Sequence, residues 1–343
     1  MLSKIIIKLT SGKIKKINVG ISIGDPNGIG IEVMLKALSE RPSNDNCNYI
    51  IYSSHGLIIN QKKDLNIKSL PLKKIESFDE ISQNSLNIKE VFTESKYEFG
   101  VFDKQVSQNA IISFKEAVKD ARDKKIDILI TSPIDKNLSY SKTFKFSGHT
   151  DYLRQYFNED PIMLMVSKKL KIGLLTEHIA LKDVVHNITV EKTTKKLKIL
   201  YQVLNEDFGI IKPKIAVLSI NPHVGDKGLI GTEDQKLLIP AINELNQKEN
   251  IISGPFSADT FFCNNYVNYD AILAVYHDQG LIPFKTISFG EGVNYSAGLP
   301  IIRTSPDHGT GFDIAGKSIA DPSSFKHALK LALDVYKVRN KIL

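Results

Sequence analysis

Residues 269–285 read YDAILAVYHDQGLIPFK. The run at 271–275 is apolar with no polar alternation, the pattern of a strand covered on both faces. Strands of that kind belong to parallel sheets packed between helices. The run stops on His277, Asp278 and Gln279, with Lys285 further along. Polar residues at the end of such a strand mark the place where α/β proteins put their chemistry. On this reading His277 lies at a strand end and Gly280 allows the turn that follows.

The signature recurs along the chain. KINVGISIG (16–24), NYIIYSS (48–54), IDILITSP (126–133), IMLMVS (162–167), LKIGLLT (170–176) and KIAVLSI (214–220) all read as strands. Helical periodicity over roughly 104–124, 191–206 and 232–247, and from Asp321 onward, separates or follows them. The alternation predicts an α/β protein with mostly parallel sheets and flanking helices. A length of 343 residues is long for one ordinary core and suits two lobes. The divisions we expect are roughly 17–135 plus 300–343 for one lobe and 136–299 for the other. GDPNGIG (24–30) is a tight turn into a helix, because Asp-Pro and Asn-Gly both favour turns. It lacks the Gly-x-Gly-x-x-Gly spacing, and the second strand ends without an acid for a ribose, so it is no Rossmann fingerprint.

Composition narrows the function classes. The hydrophobic fraction is 42% and the charged fraction 24%, as in ordinary globular proteins. No apolar run is long enough for a membrane span. The first residues alternate isoleucines with lysines and lack the apolar core of a signal peptide, so the expected location is cytoplasmic. Cys47 and Cys263 suggest no disulfide framework. The net charge of +7 comes from scattered lysines. The densest group, at 190–200, has helical spacing and reads as a solvated face. No nucleic-acid module is visible, but a positive field favours a small anionic substrate.

Four strand ends carry candidate chemistry: Lys136, His178, His223 and His277. Three neutral imidazoles can converge on one divalent metal and leave positions open for substrate. Any one of them alone reads more readily as a hydrogen-bonded histidine. Lys285, Asn294 and Arg303 are candidate anion binders, Arg303 through its planar fork. His149 and Thr150 stand at a helix start, where free N–H groups favour anions. Simple capping by Thr150 and an ion pair for Arg303 are the competing structural roles.

SIGDPNGIGIEV (22–33), SGHTDYL (147–153), INPHVGDKGLIGTED (220–234), GPFSADTFF (254–262) and the continuous stretch from Tyr276 to Phe325 together resemble the 4-hydroxythreonine-4-phosphate dehydrogenase family of pyridoxal 5′-phosphate (vitamin B6) biosynthesis. The resemblance runs from about residue 17 to the end of the chain. It implies a fold like isocitrate and isopropylmalate dehydrogenases, and a homodimer with active sites shared between subunits. It implies one divalent metal (zinc, magnesium, manganese or cobalt) on His178, His223 and His277. It places the phosphorylated hydroxy amino acid on His149, Thr150, Lys285, Asn294 and Arg303. More loosely, it places NAD against His308, Gly309, Thr310 and Asp313. One subunit can present His149, Thr150, His178 and His223 while its partner presents His277, Lys285, Asn294 and Arg303. The implied reaction oxidises 4-phosphooxy-L-threonine at C3 and decarboxylates the product to 3-amino-2-oxopropyl phosphate. Asp278, Lys136 and a metal-bound water are the candidates for the base. A sibling dehydrogenase acting on 4-phosphoerythronate or 4-phosphothreonate shares every motif. A phosphate acyltransferase shares only the fold.

Overall fold

A computed structural model describes residues 16–342 except 43–44, 69–70, 95, 142–143, 147 and 248–249. The lysine-broken start of the chain lies outside the described residues. The strands are β1 (Ile17–Ser22), β2 (Cys47–Ser53), β3 (Leu72–Ile75), β4 (Leu86–Glu90), β5 (Ile128–Thr131), β6 (Ile162–Val166), β7 (Lys171–Leu174), β8 (Ile215–Leu218), β9 (Ile252–Phe256), β10 (Ala271–Ala274), β11 (Val293–Ala297) and β12 (Ile302–Pro306). The helices are α1 (Gly30–Ser39), α2 (His55–Asp64), α3 (Lys104–Arg122), α4 (Lys136–Ser139), α5 (His149–Phe157), α6 (Val190–Glu206), α7 (Ile239–Asn246), α8 (Ala258–Asn264), α9 (His277–Ile287) and α10 (Ser323–Arg339).

The strands form one sheet in the order β3-β4-β2-β1-β5-β12-β11-β6-β7-β10-β8-β9. The pairs β12–β11, β11–β6 and β6–β7 are antiparallel and the remaining pairs parallel. Two parallel blocks thus meet at a central reversal of strand direction. Apolar side chains cover both faces. One core cluster reaches from Val19 and Leu35 through Leu164 to Leu273. In β10, Ala271 to Ala274 are at most 1% exposed. Burying Ile272 and Leu273 contributes about 1.5–3 kcal/mol each.

The run that opened the sequence reading folds differently after Val275. Tyr276 is the extended N-cap residue, and His277 begins α9 instead of ending a strand. Gly280 therefore makes no turn. It lies inside the helix, where a Cβ would come within 2.9–3.0 Å of Ala274, Ile172 and Leu174. Glycine here lets α9 pack down on β7 and β10. The lysine face of α6 is solvated at Lys195 and Lys198, but Lys196 is buried. Its ammonium donates to Asp160 Oδ1 at 2.9 Å and to the Pro161 carbonyl at 2.6 Å.

Candidate active site

A cavity of about 620 Å³ opens at the reversal of the sheet, with the β12–β11 hairpin, α5 and the segment after β7 in its walls. Lys136, His149, Thr150, His178, Lys285, Asn294, Arg303, His308 and Gly309 line it, all from one chain.

Arg303 projects from β12 and is 2% exposed. Nε and Nη2 donate to Thr131 Oγ1 at 3.1 and 2.5 Å, and Nη1 donates to Ser296 Oγ at 2.9 Å. Nη2 also lies 3.3 Å from His149 Nδ1. Among the described residues no carboxylate pairs with it. Burial alone lowers the guanidinium to about 9. A buried cation held by neutral groups is costly unless an anion joins it. The ion pair weighed as its structural role is therefore not what holds Arg303. The expected fork is also turned: most of its N–H groups grip the protein, so an anion gains a full charge more than a free bidentate face.

His149 opens α5, and the first N–H groups of a helix have no intrahelical partners. Its ring packs edge-on to Phe114 at 4.5 Å between centroids. Burial, then repulsion from Arg303 and Lys136, holds it well below the usual imidazole value. His149 Nε2 and Asn294 Oδ1 are buried without partners. Thr150 Oγ1 lies 3.5 Å from Ser296 Oγ. Lys285, two turns into α9, rests 3.3 Å from Asp307. The chemistry of these groups suits an anion.

The strands β7, β10 and β8 are adjacent and parallel. His178, His277 and His223 follow their respective C-terminal ends. The rings of His178 and His277 are 5.7 Å apart between centroids. Two imidazoles sharing a tetrahedral ion would stand roughly 5 Å apart. Burial, then Lys136 and His277, lowers His178 to about 4, which keeps it neutral as a ligand must be. Nδ1 of His277 lies 2.7 Å from Asp278 Oδ1. That pairing leaves Nε2 free, the usual arrangement behind a metal-bound histidine. These two residues fit a divalent ion. His223 stands apart: among the described residues no three His, Cys, Asp or Glu side chains are grouped closely enough to hold a metal.

His223 sits on an unusual turn. His223, Val224, Gly225, Asp226 and Lys227 all have positive φ, from 43° to 75°. The four non-glycine residues cost roughly 4–8 kcal/mol in that region. The turn is held at its base by Asp234, which is fully buried. Its carboxylate accepts from Ile220 N at 2.7 Å, Asn221 N at 2.9 Å and Asn221 Nδ2 at 3.0 Å. Three hydrogen bonds to a charged acceptor supply roughly 4–9 kcal/mol, enough to offset the strain.

Asp278 is 73% exposed and turned toward His277, outside the cavity lining. Lys136 is inside it, close enough to repel both His149 and His178. On the far side, His308 Nδ1 lies 2.8 Å from the Gly309 carbonyl, so its buried, unpartnered Nε2 is an acceptor. A Cβ at Gly309 would meet open space. Thr310 turns its carbonyl to Ile29 N at 2.9 Å. Asp313 is exposed and does not line the cavity. A free acceptor beside an open backbone fits a ribose or base edge.

The sequence reading missed Thr131, Ser296, Asp307 and the charged group that surrounds Glu177 beside His178. In that group Glu177 lies 3.7 Å from Arg154, which is 3.3 Å from Asp160. Burial raises Glu177 despite Lys196 and Arg154. His149, Thr150 and His178 line one cavity with Lys285, Asn294 and Arg303 of the same chain.

A sequence profile described as pyridoxal phosphate biosynthetic protein PdxA matches residues 45–332. The 4-hydroxythreonine-4-phosphate dehydrogenase of Sulfurihydrogenibium sp. is 43% identical over 324 residues, covering 94% of this chain and 99% of its own. The crystal structure of the enzyme so named from Klebsiella pneumoniae superposes with a TM-score of 0.81 at 28% identity, covering 95% of this chain and 99% of its own. Isocitrate dehydrogenase from Methylococcus capsulatus, 11% identical with a TM-score of 0.50 over 94% of this chain and 87% of its own, shares the fold. The chain belongs to the PdxA family of pyridoxal phosphate biosynthetic dehydrogenases.

Proposed function

We propose that the chain catalyses the NAD- and metal-dependent oxidation of 4-phosphooxy-L-threonine at C3, followed by decarboxylation to 3-amino-2-oxopropyl phosphate. The observation that carries the reading is Arg303, a buried guanidinium without a carboxylate partner among the described residues, in the same cavity as His178 and His308. Arg303, His149, Thr150, Asn294 and Lys285 would hold the phosphate. Fixing that end aims the substrate's carbinol carbon along the cavity.

A divalent metal held by His178 and His277, with His223 as the third donor, would supply a Lewis acid for the hydroxyl and for the charge left by CO2 loss. NAD held along 308–313 would supply the hydride acceptor. Lys136, between the anion site and His178, is the better placed of the two candidate side chains to take the hydroxyl proton. Asp278 instead orients His277. The boundary between β12 and β11 would divide the two lobes, and the enzyme would work as a homodimer in the cytoplasm.

The test is absorbance of NADH with 4-phosphooxy-L-threonine, run beside 4-phosphoerythronate and 4-phosphothreonate. Turnover should appear with the first compound, with release of CO2. Turnover only with one of the others would reassign the substrate. No turnover with any of them would remove the dehydrogenase reading.

A further inference from the structure

The GDPNGIG turn has no part in the chemistry above, yet it is more tightly built than a simple turn requires. Asn27 is fully buried. Its side chain accepts from Glu98 N at 2.8 Å and donates to the Val101 carbonyl at 2.8 Å, while its own carbonyl accepts from Gly100 N at 2.9 Å. Its N–H donates to Asp25 Oδ1 at 3.0 Å, and Asp25 also accepts from Ser107 Oγ. Asn27 therefore clamps the segment 98–101 at three points.

Both the turn and the clamped segment bear on the stretch after β12. Ile29 N donates to the Thr310 carbonyl at 2.9 Å. A Cβ at Gly28 would stand 2.5 Å from that same oxygen. Backbone cannot yield as a flexible side chain can, so Gly28 is required for space. A Cβ at Gly100 would stand 2.8 Å from the Phe312 carbonyl, and a Cβ at Gly311 would stand 2.7 Å from Ile29. The rings of Phe102 and Phe312 lie 4.5 Å apart. Three segments distant in sequence therefore meet at bare backbone.

We infer that the GDPNGIG turn is the mounting of the cofactor loop, with Gly28 and Asn27 as positioning residues that set the height of residues 308–313 above the cavity. This rests on the assignment of 308–313 to NAD. The contacts run through Thr310 and Phe312, while His308 and Gly309 remain free to face a ligand. The anion site at Arg303 uses none of these contacts and should not sense their loss.

The test is titration calorimetry of the full chain with NADH and, separately, with inorganic phosphate, on wild type, Gly28→Ala and Asn27→Asp. Gly28→Ala should weaken NADH by about ten- to a hundredfold and leave phosphate affinity unchanged. Asn27→Asp keeps the acceptor for Glu98 and loses the donor to Val101. It should weaken NADH in the same sense by less, and it decides the matter if Gly28→Ala does not fold. Wild-type NADH affinity in the folded variants overturns the inference. A parallel fall in phosphate affinity also overturns it, because the turn would then be a general structural support. If wild type binds phosphate but not NADH, the cofactor assignment itself fails and the mounting fails with it.

Discussion

Arg303 fixes the tautomer of His149. Nη2 lies 3.3 Å from Nδ1, and a guanidinium has only donors. Nδ1 must therefore accept, and the ring proton sits on Nε2, the nitrogen buried without a partner. The pair offers the cavity one charge and one aimed neutral donor. That combination suits a phosphate whose oxygens need several donors.

Arg303→Lys keeps the charge and loses the geometry. A lysine cannot reach Thr131, Ser296 and His149 together as the guanidinium does. Affinity for inorganic phosphate should fall by about ten- to a hundredfold. NADH affinity should stay as it is. Calorimetry with each ligand separates the two, and unchanged phosphate binding would place Arg303 outside the anion site.

His149 makes the fold sensitive to acid. Its folded-state value lies well below the ordinary 6.5 because of burial, Arg303 and Lys136. Below about pH 6.5 the unfolded chain takes up a proton that the folded chain refuses. Stability should therefore fall as pH drops from 6.5 toward the folded-state value. His149→Gln should flatten that part of the curve, read as thermal midpoint between pH 7.5 and 5. An equally steep fall in the variant would assign the acid lability to other groups.

The rings of His178 and His277 face each other within one chain, 5.7 Å apart between centroids. Each single alanine variant should lose zinc in equilibrium dialysis. Mixing His178→Ala with His277→Ala chains should restore nothing if both rings that face each other within one chain hold the same ion. Return of about a quarter of the activity after confirmed subunit exchange, the share expected of random dimers with divided sites, would show that these two ligands come from different subunits.

Asp234 holds the left-handed turn that carries His223. Asp234→Ala leaves two backbone N–H groups without their acceptor, while the Asn221 amide keeps Glu233 Oε2. The cost should be roughly 2–5 kcal/mol in urea unfolding. A loss below about 0.5 kcal/mol, the range of a surface change, would mean that the turn does not depend on this anchor.

The alternation of apolar runs made most of the parallel strands legible, because burial on both faces leaves a plain mark in sequence. β3 carries Leu-Lys-Lys-Ile on the sheet edge, and β9 is interrupted by Gly254-Pro255, so neither has that mark. The sequence pattern shows no α9, because Tyr276 is extended and Pro283 lies inside the helix, both of which read as breaks. Family resemblance supplied the identities at the anion site. It could not supply Thr131 or Ser296: in sequence they are small residues in buried strands, and their role exists only through Arg303, 172 residues beyond Thr131. Asp307 was hidden for the same reason, since its partner Lys285 lies on another element.

The pairing of β5 with β12 has a bearing on the order of events during synthesis. β5 is complete by residue 131, but its neighbour on that side arrives only at residue 302. Contacts so distant in sequence form slowly, and an unpaired central strand is open to other chains while it waits. The contact of Arg303 with Thr131 needs both strands, so it belongs to the last stage of folding. A chain released before residue 303 would carry an open sheet edge and a cavity without its buried cation.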